Sequence, residues 1–215
     1  MVKVDIEIKR QGMLMVLSSP SGAGKSTLSK LLRQNLDLKV SISATTRAPR
    51  GAEKNSKDYY FLSTEDFEKK IEEGAFIEWA KVHGNYYGTF KSTVLDSMQK
   101  GYDLLFDIDY NGMFQLRKQL PECVVSVFIL PPSMDNLRKR LATRCEDSNE
   151  DIEKRIANAY YEIKQYVNYD YVLINHTVEE TYQKLESIYL GETCKKSRSF
   201  GLDIFINKLL RESIK

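Results

Sequence analysis

The segment Ser18-Ser-Pro-Ser-Gly-Ala-Gly-Lys-Ser-Thr27 carries the residue types that hold a phosphate. Against the pattern G-x-x-x-x-G-K-[ST] it matches Gly24, Lys25 and Ser26 and puts Ser19 at the opening glycine. Glycines let the backbone curl until its N–H groups face inward, and a helix starting at the end of the loop adds its positive pole. Ser19, Pro20, Ser21, Gly22, Ala23, Gly24, Lys25, Ser26 and Thr27 are therefore expected to surround the phosphates of a nucleoside triphosphate, with ATP the expected one. Lys25 would reach the β and γ phosphates, and the Ser26 hydroxyl would contact Mg²⁺. Ser19 is compatible with this if its φ is negative. The bland alternative, a Gly/Ser turn before a helix, is disfavoured by the apolar strand-like run Met13–Leu17 in front and the helical pattern behind.

Four further groupings could do chemistry beside such a loop. Leu104-Leu-Phe-Asp-Ile-Asp109 ends an apolar strand with carboxylates at i and i+2, which on one strand share a face. At the carboxyl edge of a parallel sheet they would approach the ligand crevice, although acids there also serve as helix caps. Arg47 and Arg50 flank a stiff Ala-Pro step and could grip a phosphate with forked donors, aided by tyrosine hydroxyls. Glu78 could accept two hydrogen bonds from a purine edge, and guanine offers such a donor pair at N1 and N2 where adenine does not. Finally, Arg140 and Arg144 share a helix face in the charged stretch 138–155, which reads either as a solvated surface or as a cationic cover over a migrating phosphoryl group.

The elements that must position these residues follow from periodicity. Apolar runs at 13–17, 103–108, 124–130 and 171–174 alternate with helical patterns at 25–36, 90–100, 133–144, 149–168 and 177–190, which predicts an α/β domain on a mainly parallel sheet. Residues 40–89 form a β-rich insertion with a short helix near 65–72, and 138–155 form a helix-turn-helix cover. The single domain thus divides into a core (12–39, 90–137 and 156–190), the insertion, the cover and a tail (191–215) whose apolar residues suggest terminal packing. With 215 residues, one sizeable core suffices. Thirty-two basic and 30 acidic residues give a formal charge of +2, so no global field favours nucleic acid or an anionic membrane. Cys123, Cys145 and Cys194 have no metal-ligand spacing and suit a reducing, cytoplasmic setting as free thiols. Residues 1–12 alternate Val2, Val4, Ile6 and Ile8 with charges, as in a strand or arm, and no stretch has the apolar length of a membrane span.

Taken together, Ser-Pro-Ser-Gly-Ala-Gly-Lys-Ser, Thr45-Thr-Arg-Ala-Pro-Arg50, Asp58-Tyr59, Phe76-Ile-Glu-Trp79, Gly84-Asn-Tyr-Tyr-Gly88, Asp107-Ile-Asp109, Leu130-Pro-Pro-Ser133 and Arg140-Leu-Ala-Thr-Arg144 resemble the guanylate kinases in order and spacing, over 12–190. The resemblance implies a P-loop nucleoside monophosphate kinase fold with parallel-sheet core, β-rich GMP-binding insertion and helical lid, and transfer of the γ-phosphoryl group of ATP to GMP, and to dGMP, with Mg²⁺. It implies that Ser43, Glu78 and Thr89 read guanine, that Arg47, Arg50, Tyr59 and Tyr87 hold the GMP phosphate, and that Asp107 lies on the GMP side. Asp109 would stand near the metal with Ser26, Lys25, Arg140, Arg144 and Arg155 would surround the transferring phosphate, and Asn175 would lie near the ATP base. Ala52, Cys145 and His176 depart from the family pattern at the turn before Tyr59, at the lid hinge and on the ATP side.

A kinase for another nucleoside monophosphate is the near alternative, and a non-catalytic guanylate-kinase-like protein-binding module the distant one. Retention of Lys25 and the lid arginines speaks against the module, and Glu78 with Ser43 and Thr89 against the other kinase. No N-K-x-D, H-R-D or D-F-G segment points to a GTPase or protein kinase. ATP and GMP are the expected partners, and a homo-oligomer is compatible with the two termini.

Overall fold

The computed structural model describes residues 8–82, 84–143 and 149–212. The chain opens with β1 (Lys9–Arg10), β2 (Leu14–Ser18), α1 (Lys25–Asn35) and β3 (Leu38–Val40). The insertion follows as β4 (Ala44–Thr45), β5 (Tyr60–Phe61), α2 (Thr64–Glu72), β6 (Phe76–Val82) and β7 (Asn85–Phe90). The chain then re-enters the core through α3 (Lys91–Gln99), β8 (Asp103–Asp107), α4 (Tyr110–Gln119) and β9 (Val124–Leu130). It ends with α5 (Met134–Ala142), α6 (Asn149–Ile163), β10 (Tyr171–Ile174), α7 (Val178–Thr193), β11 (Ser199–Phe200) and α8 (Leu202–Glu212).

The core sheet has the order β10-β9-β2-β8-β3, and every pairing in it is parallel. Alternation along β2 explains why it is central. Leu14 and Val16 face a cluster with Val94 and Met98 of α3 and Met113 and Leu116 of α4, whereas Met13, Met15 and Leu17 face Leu28 and Leu32 of α1 and Leu185 and Tyr189 of α7. A strand buried on both faces reads as an unbroken apolar run, as 13–17 does. The loop after β2 therefore leaves from the middle of the sheet at its carboxyl edge, where open α/β sheets bind ligands. The opposite edge is pinned by Asp103, 1% exposed, which accepts from both Arg10 Nη atoms at 2.8 Å and from Met13 N–H and Tyr189 O–H at 2.9 Å.

The insertion is a second, four-stranded sheet, β5-β4-β7-β6, with β7 antiparallel to both neighbours. Its own core is aromatic: Phe67 of α2 stacks between Phe76 and Tyr86 at centroid distances of 4.3 and 5.2 Å. Ser63 caps α2 by accepting from Asp66 N–H at 3.0 Å. The cover rests on α5 and α6, joined by buried Leu137, Leu141, Ile152 and Ala159.

Three features differ from the sequence-based expectations. The run 103–108 ends as a strand at Asp107, and α4, which was not anticipated, begins at Tyr110 with Asp109 as its N-cap. Gly112 lies buried inside this helix, where a Cβ would come within 3.0 Å of Ile108 Cδ1, so the close packing against Ile108 favours glycine there. The pattern 149–168 divides into α6 and a 3₁₀ turn over Lys164–Asn168. The tail does not bury its apolar residues: α8 has none buried, with Ile204 61% and Leu210 59% exposed. Among the described residues, Cys123 and Cys194 are free thiols and no helix is long and apolar enough to cross a membrane.

Candidate active site

Gly22 and Gly24 shape the loop between β2 and α1. Their φ values are 90° and 101°, left-handed conformations that side chains rarely adopt. Among the described residues the only non-glycine with positive φ is Ser56, so Ser19 meets the condition set by the sequence. The Ser18 hydroxyl donates to Ile108 O at 2.8 Å, tying the start of the loop to the end of β8. The far rim is held by Asn175, 1% exposed, whose Nδ2 donates to Ala23 O at 2.8 Å and whose Oδ1 accepts from Thr181 at 3.1 Å. Arg140 spans the same rim, donating to Ala23 O and Asn175 O at 3.2 Å each. The Asn175 amide thus supports the phosphate loop with both of its polar atoms engaged. A Cβ on Gly24 would lie 2.4 Å from Asn175 Nδ2 at a φ that already disfavours one. Gly24→Ala is therefore expected to weaken nucleoside triphosphate binding by at least about tenfold, a 1.4 kcal/mol loss, and calorimetric titration checks this.

Lys25 opens α1 and points across the loop mouth. Its Nζ lies 2.5 Å from Asp107 Oδ1 and donates to Ile108 O at 3.3 Å, while Asp107 Oδ2 accepts from Ser29 Oγ at 3.0 Å. Asp109 does not share a strand face with Asp107. Its Oδ1 accepts from Gly112 N–H at 2.9 Å as the α4 cap, so the pair diverges at the strand end. Asp109 remains exposed, as does the Ser26 hydroxyl residue on the first turn of α1. Glu162 of α6, which the sequence reading missed, also reaches the loop. Burial pushes its carboxyl up, and the Ser21 backbone N–H that it accepts from pulls it down. Arg155 lies half-buried on α6; Arg144 and Cys145 lie outside the described residues.

Between the two sheets lies a cleft of about 460 Å³ lined by Ser43, Glu53, Tyr59, Thr89 and Asp107 among others. It brings together residues 64 positions apart in sequence, and Asp107 joins it to the phosphate loop. Glu78, 6% exposed, sits on β6 and accepts from the Thr89 hydroxyl at 2.6 Å. Burial pushes its carboxyl up to about 7 despite the Thr89 hydrogen bond, and the negative charge of Asp109 adds to the rise. At the other wall, the Arg47 guanidinium lies over the Tyr59 ring at 5.4 Å, and Tyr59 meets Tyr87 edge to face at 6.3 Å.

Glu53 organises this wall. It accepts from Arg47 Nη2 through both oxygens at 3.0 Å and from the Arg50 backbone N–H at 2.7 Å. Its only sequence signal was its place at the end of the Pro-Arg turn. Gly51 takes the positive φ of that turn, 54°, so Ala52 is accommodated without strain. The Arg50 residue itself is exposed. His176 is exposed as well, beside the loop-supporting Asn175.

Comparison with known proteins gives one consistent match. The family model described as guanylate kinase matches residues 11–191. The chain is 50% identical to a guanylate kinase of Bartonella henselae over 206 residues, 96% of this chain and 93% of that protein. It is 45% identical to a guanylate kinase of Caldanaerobacter subterraneus subsp. tengcongensis, covering 97% of this chain and all of the other, 100%. The crystal structure of guanylate kinase from Anaplasma phagocytophilum superposes with a TM-score of 0.73 at 37% identity, covering 94% of this chain and 96% of that one.

Proposed function

Because this chain belongs to the guanylate kinase family, we propose that it transfers the γ-phosphoryl group of ATP to GMP, and to dGMP, giving ADP and the nucleoside diphosphate. The observation that carries this reading is the 2.5 Å Lys25–Asp107 ion pair, which sets the cation of the phosphate loop against a wall of the acceptor cleft. Donor and acceptor phosphates bound on either side of that pair would meet at Lys25.

Ser19 to Thr27 cradle the ATP phosphates, with Asn175 and Arg140 holding the loop rim. Glu78 accepts guanine N1–H and N2–H, and Ser43 and Thr89 complete the base pocket. Arg47, Arg50, Tyr59 and Tyr87 hold the GMP phosphate, with Glu53 setting the orientation of Arg47. The attacking GMP oxygen is already anionic, so the chemistry calls for alignment and charge rather than a strong base. Lys25, Arg140, Arg144 and Arg155 supply that charge, and residues 138–155 serve as the lid that keeps water from competing as acceptor.

Among the described residues no cluster of three or more His, Cys, Asp or Glu could hold a metal alone. An exposed Ser26 and an exposed Asp109 suit Mg²⁺ that arrives on the triphosphate and keeps much of its water shell. When bound there, Mg²⁺ neutralises charge on the β and γ oxygens. ADP release from Mg·ATP that depends on added GMP tests the reading; release that ignores GMP contradicts it.

The state of Glu78 adds a pH signature. Its carboxyl, raised by burial to about 7, is protonated below that value before GMP binds, whereas guanine needs the carboxylate. Binding then expels a proton, so the GMP KM is expected to climb as pH falls below 7, approaching about tenfold per pH unit, with the ATP KM nearly flat. The same rise has the opposite sense for stability. The folded value lies above the ordinary 4.5, so the stabilisation is full below 4.5 and is lost as pH rises through about 7. Steady-state kinetics over pH 5.5 to 8.5 check the first effect, and the slope should vanish in Glu78→Gln.

A further inference from the structure

Strand β6, which carries Glu78, is the outer strand of its sheet and pairs with β7 on one side only. Outward N–H and C=O groups of an edge strand need other partners when they are covered. Here the partners are two glutamines of α4, in the core. Gln115 Oε1 accepts from Trp79 N–H at 3.0 Å while its Nε2 donates to Trp79 O at 2.9 Å, so one side-chain amide makes both bonds that a neighbouring strand would make. Gln119, one turn further along the same helix face, donates from Nε2 to Ile77 O at 2.7 Å.

These contacts bracket Glu78. The β6–β7 register also shifts between Phe76 and Glu78, which leaves the ladder irregular where Gln119 grips Ile77. The Ile77 side chain is fully buried in the main core against α3 and α4, while Phe76 belongs to the aromatic core of the insertion. The peptide groups on both sides of Glu78 are therefore fixed from the core as well as from β7. The helix that fixes them starts at the Asp109 cap, separated from Asp107 only by Ile108.

We propose that Gln115 and Gln119 are positioning residues for base recognition: by clamping the Ile77 and Trp79 peptides they set the aim of the Glu78 carboxylate into the acceptor cleft. The proposal rests on the reading of Glu78 as the residue that accepts from guanine. A scaffold role alone would lower stability and activity alike. A positioning role affects the GMP terms selectively.

The test is a kinetic comparison of Gln115→Leu, Gln119→Leu and Glu78→Gln with the parent protein, using GMP and AMP as acceptors and following thermal unfolding in parallel. For Gln115→Leu the expected result is about a tenfold rise in GMP KM and a similar fall in the GMP:AMP ratio of kcat/KM. The ATP KM and the kcat at saturating GMP should stay within about twofold. Gln119→Leu, at an exposed position with one bond to lose, should show the same pattern more weakly and carries the test should Gln115→Leu not fold. If Glu78→Gln loses discrimination while both leucine variants keep it, or lose kcat and ATP KM in equal measure, the clamp is wrong and the Glu78 reading stands. If Glu78→Gln keeps discrimination, both fall.

Discussion

Lys25→Ala is expected to lower kcat by about 10²–10³-fold, the usual effect of removing one group that stabilises transition-state charge, while changing GMP affinity only a few-fold. The reason lies in what Nζ faces. It stands 2.5 Å from Asp107 at the mouth of the phosphate loop, anchored by Ile108 O, and its side chain is only 20% exposed. Charge moves onto the transferring group in the transition state, and a preset cation acts there without reorganisation. Removing it also leaves Asp107 without its cation at the border of the acceptor cleft, where a second negative phosphate must come close. The loss should therefore fall on turnover. The residues proposed to hold the GMP phosphate cluster instead around Tyr59, with Arg47 and Tyr87 against its ring, and are untouched. Rapid-quench single-turnover kinetics, beside equilibrium titration with GMP, separate the two quantities. A Lys25→Ala protein that turned over at the parental rate would remove Lys25 from the chemistry.

Glu78→Gln should have the largest effect on selectivity. A pocket built to accept hydrogen bonds rejects a substrate lacking the matching donors by factors on the order of 10⁴, because its polar groups would be left buried and unpaired. Glu78 is nearly inaccessible and accepts from the hydroxyl of Thr89, which lines the cleft. Glutamine keeps the shape but places an N–H₂ where guanine also donates. The GMP:AMP ratio of kcat/KM is expected to fall by about two orders of magnitude or more, mainly through the GMP KM. The uncharged side chain should at the same time remove the pH dependence of GMP binding. An unchanged ratio would mean that Glu78 is a buried structural carboxyl and that guanine is read elsewhere.

The sequence disclosed much of this site because its signals were local. Alternation of Met13, Met15 and Leu17 against Leu14 and Val16 marks a two-faced strand. The glycines after it mark the loop, and the positive φ at Gly22 and Gly24, with Ser19 outside that region, agrees with the pattern read there. What stayed hidden depends on tertiary partners. Asp107-Ile-Asp109 looked like two acids on one strand face, but the strand stops at Asp107 and Asp109 is taken up by a helix cap. That helix, Tyr110–Gln119, was not anticipated, and Gly112 within it packs where a Cβ would crowd Ile108. With α4 unseen, Gln115 and Gln119 were ordinary polar residues, and nothing in their spacing reveals the strand edge they meet 36 and 42 positions away. Asn175 was visible as a strand-end polar residue, yet its commitment to Ala23 follows from how closely Gly24 lets it approach. The apolar residues of the tail suggested terminal packing, but their pattern cannot say whether anything covers them; they form α8, and Ile204 and Leu210 stay exposed.

The measurement that tests the account most directly is initial-rate ADP formation from Mg·ATP with GMP, dGMP, AMP, CMP, UMP and dTMP supplied separately, beside a control without acceptor. Rapid turnover confined to GMP and dGMP is the expected result, since of these bases only guanine presents the N1–H and N2–H pair that we propose Glu78 accepts. Comparable turnover with AMP or a pyrimidine nucleotide would contradict the acceptor pocket while leaving the phosphate loop in place, and no turnover with any acceptor would contradict the phosphotransferase itself.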